Sequence, residues 1–208
     1  VLLRSYFESD EILSIRGDAG KNLDDELYWY QPEYVISFLS PWIIPQSILS
    51  SAQKAAINFH PGSPDYPGIG CYNFALYEDC KRYGVTVHHM NEKVNTGDIV
   101  LTSYFDIAPF ETVETLSLKS MNHLLLCFEK ILSFIVADTP LPMSNESWNR
   151  KPFTRKQMYE LFEIIPLVHD KKEIEKRIRA SKHSGGKGAF VSIDGCKFYY
   201  EEREPVVE

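Results

Sequence analysis

Ala55-Ala56-Ile57-Asn58-Phe59-His60-Pro61-Gly62-Ser63-Pro64-Asp65-Tyr66-Pro67-Gly68 is the stretch on which the fold of this chain turns. It opens as a buried strand over 55–59, where small, β-branched and aromatic residues run together. It cannot continue as one. Pro61, Pro64 and Pro67 each lack a backbone donor and fix φ, and Gly62 and Gly68 loosen what lies between them. Residues 61–70 are therefore a loop leaving the carboxyl end of a strand. Asn58 and His60 have one residue between them, so on a strand their side chains share a face. One is an amide able to donate to a developing oxyanion, and the other an imidazole able to take a proton near neutral pH. Spacing alone fits a hydrogen-bonded polar edge as well as a catalytic pair.

Working outward, residues 34–39 read as a short buried strand and 45–52 as a helix with Pro45 in its first turn. After the loop, 72–82 reads as a helix, and 85–89 and 99–107 as strands. Residues 112–136 read as a long helix with Val113, Leu116, Met121, Leu124, Leu125, Phe128, Ile131, Leu132 and Ile135 on its apolar face. Strands alternating with helices predict an α/β layer with a mostly parallel sheet. Ligands of such sheets bind beyond the carboxyl ends of strands, where the loop after Phe59 lies. Asp138-Thr139-Pro140-Leu141-Pro142 breaks the long helix and sets a boundary near 138–154. Beyond it a small α+β region is expected. It comprises helices over 155–165 and 170–181, a turn rich in glycine (Gly185, Gly186, Gly188), and a hairpin of 189–193 and 196–202 turning at Asp194-Gly195. The expected division is 1–137 and 138–208.

At 208 residues and 44% hydrophobic, the chain can bury one sizeable core. No apolar run approaches the ~20 residues that cross a bilayer, and Val1-Leu2-Leu3-Arg4 lacks a signal-peptide pattern. Cys71, Cys80, Cys127 and Cys196 form no Cys-x-x-Cys pair, which argues against a zinc site and for reduced thiols in a cytoplasmic protein. The net charge of −7 is uneven: −10 over 1–149, +6 over 150–187 and −3 over 188–208. The acidic body opposes non-specific binding to nucleic acid. The basic stretch fits either a phosphorylated ligand or a solvated helix face.

Asn58-x-His60-Pro61 with its Pro- and Gly-rich loop is followed by Gly84-Val85-Thr86-Val87-His88 and Val94-Asn95-Thr96-Gly97-Asp98-Ile99. In this order and spacing, over about half the chain (residues 34–137), they resemble the folate-dependent formyltransferases. That resemblance implies a Rossmann-like catalytic domain and 10-formyltetrahydrofolate as formyl donor, with no metal. By position, Asn58 and His60 match the family's catalytic Asn and His. Asn95 stands where the family has a catalytic Asp. A neutral amide there can hydrogen-bond but supplies no charge to a histidine. Asp98 matches the family's second acidic position and reads as a turn residue. Ser37-Phe38-Leu39-Ser40-Pro41-Trp42-Ile43-Ile44-Pro45 is similar to the segment lining the folate pocket, which implicates Ser40, Trp42 and Ile44, with Val94 from the facing loop. The family's first strand and turn are not visible ahead of Val1-Leu2, so an N-terminal βαβ step is expected to be incomplete.

The 60–76 loop and the segments Trp148-Asn149-Arg150-Lys151-Pro152 and Arg177-Ile178-Arg179-Ala180 look closest to nucleotide-sugar N-formyltransferases of the dTDP-4-amino-4,6-dideoxyglucose type. Residues 153–208 are too few for the basic barrel that follows in the tRNA enzyme. The implied acceptor is a nucleotide-linked amino sugar, with Tyr66, Tyr72, Trp148 and Arg150 as contacts to its base and diphosphate. A homodimer is compatible with the resemblance. Two alternatives stay open. One is an enzyme acting on methionyl-tRNA or glycinamide ribonucleotide, or a formyltetrahydrofolate hydrolase that uses water instead of an amine. The other is an impaired folate or sugar-nucleotide binder, motivated by Asn95.

Overall fold

The computed structural model describes residues 3–8, 11–17, 23, 27, 29–183 and 187–201. Val1-Leu2, on which the expectation of an incomplete N-terminal step rests, lies outside them, as do Gly185 and Gly186 of the expected glycine-rich turn.

Four strands form the main sheet: β1 Tyr34–Phe38, β2 Ala55–His60, β3 Arg82–His89 and β4 Ile99–Asp106, in the order β1-β2-β3-β4. The α/β class holds, with helix layered on sheet. The expectation of a mostly parallel sheet needs correcting for these strands. β1 and β2 run parallel, but β2–β3 and β3–β4 are antiparallel. Residues 90–98, which join β3 to β4, are too short for the crossover of a dozen or more residues that parallel pairing needs.

Helix α1 (Gln46–Leu49) is shorter than the expected 45–52, and α2 (Cys71–Tyr77) ends well before 82. After α2 the chain turns through Asp79, whose φ is 51°, and Arg82 already belongs to β3. Helix α3 (Val113–Val136) matches its expected span. Thr112 caps it, accepting from the Thr115 backbone N–H, and the Thr115 side chain answers from the third position. Residues Leu116, Leu124, Cys127, Ile131 and Leu132, at helical spacing, are buried. Leu125, expected on that face, points outward at 47% exposure, one step of about 100° beyond Leu124.

The strand alternation decides what α3 covers. Ile57, Phe59, Val85 and Val87 point one way and meet Leu124, Cys127 and Ile131 in one core cluster. Phe38, Phe59 and Phe128 stack within it at centroid distances of 5.3–5.8 Å. The opposite face carries Asn58 and His60 of β2 and Thr86 and His88 of β3, paired across the strands as Asn58↔His88 and His60↔Thr86.

Beyond residue 138 come α4 (Arg155–Phe162), α5 (Lys171–Ser181) and a hairpin of β5 (Phe190–Ile193) and β6 (Cys196–Tyr199). Its turn is at Asp194-Gly195, as expected. Helix α4 stops three residues early. Its last carbonyls, of Glu160, Leu161 and Glu163, are taken by Arg177 Nη1 at 2.7–3.1 Å. Helix α5 docks on α2 through Asn73, which donates to the Ala180 carbonyl at 2.7 Å, and through the Tyr77 hydroxyl on Glu173 at 2.8 Å.

Candidate active site

The polar face of β2 and β3 is closed over by the loop that leaves β2. Two contacts tie the loop back to the sheet and a third tightens it. The Tyr83 hydroxyl donates to the Pro61 carbonyl at 2.9 Å, Thr86 Oγ1 donates to the Gly62 carbonyl at 2.7 Å, and the Tyr66 N–H closes a turn on Ser63. A Cβ on Gly62 would come within 2.6 Å of His60 Nε2 and of the Tyr66 carbonyl, so only glycine fits there. The result is a buried His60, 5% exposed, whose Nε2 lies 2.9 Å from the Tyr66 carbonyl. A carbonyl can only accept, so Nε2 carries the proton and Nδ1 carries the lone pair. Burial pushes the His60 imidazole down to about 4, against the opposing pull of that carbonyl.

Asn58 does not pair with His60. Its Nδ2 lies 3.1 Å from Nε2 of His88, directly across the strand pair. Asn95 brings its Nδ2 to the same nitrogen at 3.0 Å. His88 Nδ1 meanwhile sits 2.7 Å from the His89 carbonyl. His88 therefore donates from Nδ1 and accepts at Nε2. Asn95 fixes the same arrangement independently, because its Oδ1 accepts the Gly68 backbone N–H at 2.9 Å and leaves Nδ2 for the histidine. Asn95 sits at φ 49°, in the left-handed region that asparagine tolerates better than most residues. Burial also pushes His88 down to about 4, so both histidines are neutral at pH 7. Beside His88 the β3–β4 register shifts: Val87 faces Leu101 and His88 faces Ile99, so the extra residue is Val100 of β4.

Trp148 lies over both rings, edge-on to His88 at 5.1 Å and to His60 at 5.9 Å. Its indole N–H donates to the Gly97 carbonyl at 2.8 Å. Glycine is needed at 97 because a Cβ would collide with the His89 carbonyl. Glu146 holds the same segment to β4, accepting from Thr102 and from the Tyr104 hydroxyl.

Of the residues proposed from sequence, Asn58, His60, Asn95 and Trp148 converge on this face. Ser40, Trp42 and Ile44 follow the carboxyl end of β1, beside β2, with Ser40 Oγ accepting the Trp42 N–H at 3.1 Å. Val94, beside Asn95, is 45% exposed. Three of the expected sugar-nucleotide contacts have other partners here. Tyr66 is buried, with its hydroxyl on Glu78 at 3.0 Å. Tyr72 packs against the core beside Tyr83. Apolar rings so placed gain more from burial than from facing solvent as stacking surfaces. Arg150 clamps Glu78 through Nη1 at 2.7 Å and Nη2 at 3.1 Å, with its guanidinium over Tyr66 and Phe153. Lys176 and Arg179 of the basic stretch meet Asp79. Much of that positive balance is thus spent docking the C-terminal part onto the body.

His88 is the member of the cluster that had no role in the sequence reading. Its signal was a histidine closing a run of Val and Thr. Its partner Asn58 is thirty residues away, and only the strand register brings the two together.

Among the described residues no group of His, Cys, Asp or Glu could hold a metal ion, and no helix is long and apolar enough to cross a membrane. The cysteines are unpaired.

Comparison with known proteins shows what the chain is similar to. A family model described as formyl transferase matches residues 5–125. A curated methionyl-tRNA formyltransferase of Ehrlichia canis is 30% identical over 112 residues, which are 53% of this chain and 36% of that protein. The chain thus spans little more than a third of the length of that relative. Among solved structures, a 4-N formyltransferase from Francisella tularensis superposes with a TM-score of 0.70 at 20% identity, covering 85% of this chain and 72% of that one. An N-formyltransferase from Helicobacter canadensis, in complex with folinic acid and dTDP-3-aminofucose, gives 0.64 at 21% identity, covering 83% and 62%.

Proposed function

We propose that this chain, which belongs to the formyl transferase family, moves a formyl group from 10-formyltetrahydrofolate to the amine of a nucleotide-linked amino sugar. The observation that carries the reading is the neutral cluster of Asn58, His88 and Asn95 beside His60 on one buried sheet face. Asn58 Nδ2 has two hydrogens. One goes to His88, and the other is left to donate to the formyl oxygen as it becomes an oxyanion. His60, neutral with its lone pair on Nδ1, suits the base that takes the proton of the attacking amine. Burial keeps the ring neutral before transfer, so His60 enters the reaction with a free lone pair and not as a protonated oxyanion donor. The amine nitrogen bonds to the formyl carbon, the bond from that carbon to the folate nitrogen breaks, and the proton held by His60 passes to that nitrogen as tetrahydrofolate leaves.

Folate is proposed to bind where 39–45 leaves β1, with Ser40, Trp42, Ile44 and Val94 lining it. Two observations support the sugar as acceptor. Likeness in fold to a sugar N-formyltransferase from Shewanella sp. extends over 85% of the chain. The −10 balance of residues 1–149 is also a poor match for a polyanion. The methionyl-tRNA formyltransferases among its relatives support a second reading, with charged initiator tRNA as acceptor. The test is calorimetry with 5-formyltetrahydrofolate, followed by transfer assays with 10-formyltetrahydrofolate and a panel of nucleotide amino sugars. Absence of folate binding to folded protein would sink both readings.

A further inference from the structure

We propose that His88 is a positioning residue for the transfer: it anchors the amides of Asn58 and Asn95 on one nitrogen and so aims the second Asn58 N–H at the reacting carbonyl. This rests on the transferase reading above. Three observations carry it. Asn58 and His88 are direct cross-strand partners, so the register delivers the contact without a long side chain having to search for it. Two backbone groups then over-determine the ring and its partner. The His89 carbonyl holds Nδ1–H, and the Gly68 N–H holds Asn95 Oδ1. Finally, where β3 and β4 shift register beside His88 the extra residue is Val100 of β4, so the β2–β3 pairing that carries the contact stays regular.

The arrangement accounts for an asparagine at position 95. With Nδ1–H committed to the His89 carbonyl, Nε2 presents a lone pair, and a carboxylate oxygen at 95 would face it unfavourably. An aspartate there would have to draw a proton onto Nε2, and His88 could then no longer accept from Asn58. The groups around His88 are the amides of Asn58 and Asn95, the His89 carbonyl and the Trp148 ring. The titratable neighbours acting on it or its surroundings are His89 and His60. Among the described residues the charged-group influence on the ring comes from His89 and not from a carboxylate, which suits a neutral ring.

The experiment pairs kinetics with nitrogen-15 NMR on the full chain. His88→Leu, folded by circular dichroism, should lose about 10- to 100-fold in kcat, the scale of a misplaced catalytic group. The KM values for folate and sugar should change little, because the aimed N–H matters most in the transition state. His88→Gln, which offers an acceptor oxygen near the Nε2 position, should recover most of the loss. At pH 7 the His88 ring should show a protonated Nδ1 and bare Nε2. The side-chain amide signals of Asn58 and Asn95 should shift together in His88→Leu, and Asn95→Asp should move the His88 titration to higher pH. A protonated Nε2 at pH 7, amide signals indifferent to His88→Leu, or a folded His88→Leu with full kcat would each overturn the proposal. A wild-type chain that formylates no acceptor would instead overturn the transferase reading, and the NMR arm separates the two failures.

Discussion

The sheet face and the seam that holds the C-terminal part to the body differ in their use of charge. On the sheet face, His60, Thr86, His88 and Asn95 are buried and all are neutral. Along the seam, half-exposed ion pairs of Arg150 with Glu78 and of Lys176 and Arg179 with Asp79 are added to the buried packing of Leu161 and Ala180 and the Asn73–Ala180 hydrogen bond. Burying an ion costs several kcal/mol before its partner offsets it, so a dry site keeps its geometry best with neutral hydrogen bonds. Exposed ion pairs contribute only about 0–1 kcal/mol each, and they reform readily. The difference suits the two tasks. On the proposed function the face has to hold an amide within a fraction of an ångström, whereas the seam has only to keep the C-terminal part on the body.

Acid should break the face before the seam. Both histidines have folded values near 4, against about 6.5 when unfolded. A depressed histidine contributes its full stability above about 6.5 and loses it as pH falls toward 4, because the unfolded chain takes up the proton first. The loss should be roughly 3 kcal/mol for each ring. Urea midpoints measured at pH 7 and pH 4.5 would show it, and equal midpoints would mean that the rings are charged or exposed in solution.

Asn58→Ala sharpens the same point through activity. Removing one oxyanion donor should lower kcat by about 100- to 1,000-fold. Stability should move by only about 1 kcal/mol, since Asn95 still serves His88 Nε2. A variant that unfolds, or that turns over normally, would assign Asn58 to structure or to neither role.

Arg150→Ala addresses the seam. Its side chain is 36% exposed, so the pair with Glu78 should be worth about 1 kcal/mol at most. Thermal melts should show a small drop, with folate affinity unchanged. If sugar-nucleotide affinity falls tenfold or more, Arg150 leaves Glu78 to meet the diphosphate, as the sequence suggested. The smallest effect should come from salt. Raising ionic strength to 0.5 M should erase what Arg150→Ala costs while leaving the Asn58→Ala loss intact.

Much of this contrast was legible in the sequence, for reasons that differ by element. Strand β2 and its loop were readable because Ile57 and Phe59 alternate with Asn58 and His60, and three prolines forbid continuation. Helix α3 was readable from Val113 to Val136 because its apolar period runs uninterrupted. The antiparallel turn of β3 against β2 was not readable, because local pattern does not encode which strand is the neighbour. For the same reason His60 was paired with Asn58, whereas the register hands Asn58 to His88. Arg150, Lys176 and Arg179 looked available as a basic run. Their partners, Glu78 and Asp79, follow α2 far away in sequence and meet them only in the folded chain.

The most direct measurement offers carbon-13-labelled 10-formyltetrahydrofolate to the chain with a dTDP-linked 4-amino-4,6-dideoxyglucose and methionyl initiator tRNA together, and follows the label. The account predicts label on the sugar nitrogen and tetrahydrofolate released in equal amount. Label on the methionyl amine, with the amino sugar untouched, would contradict it.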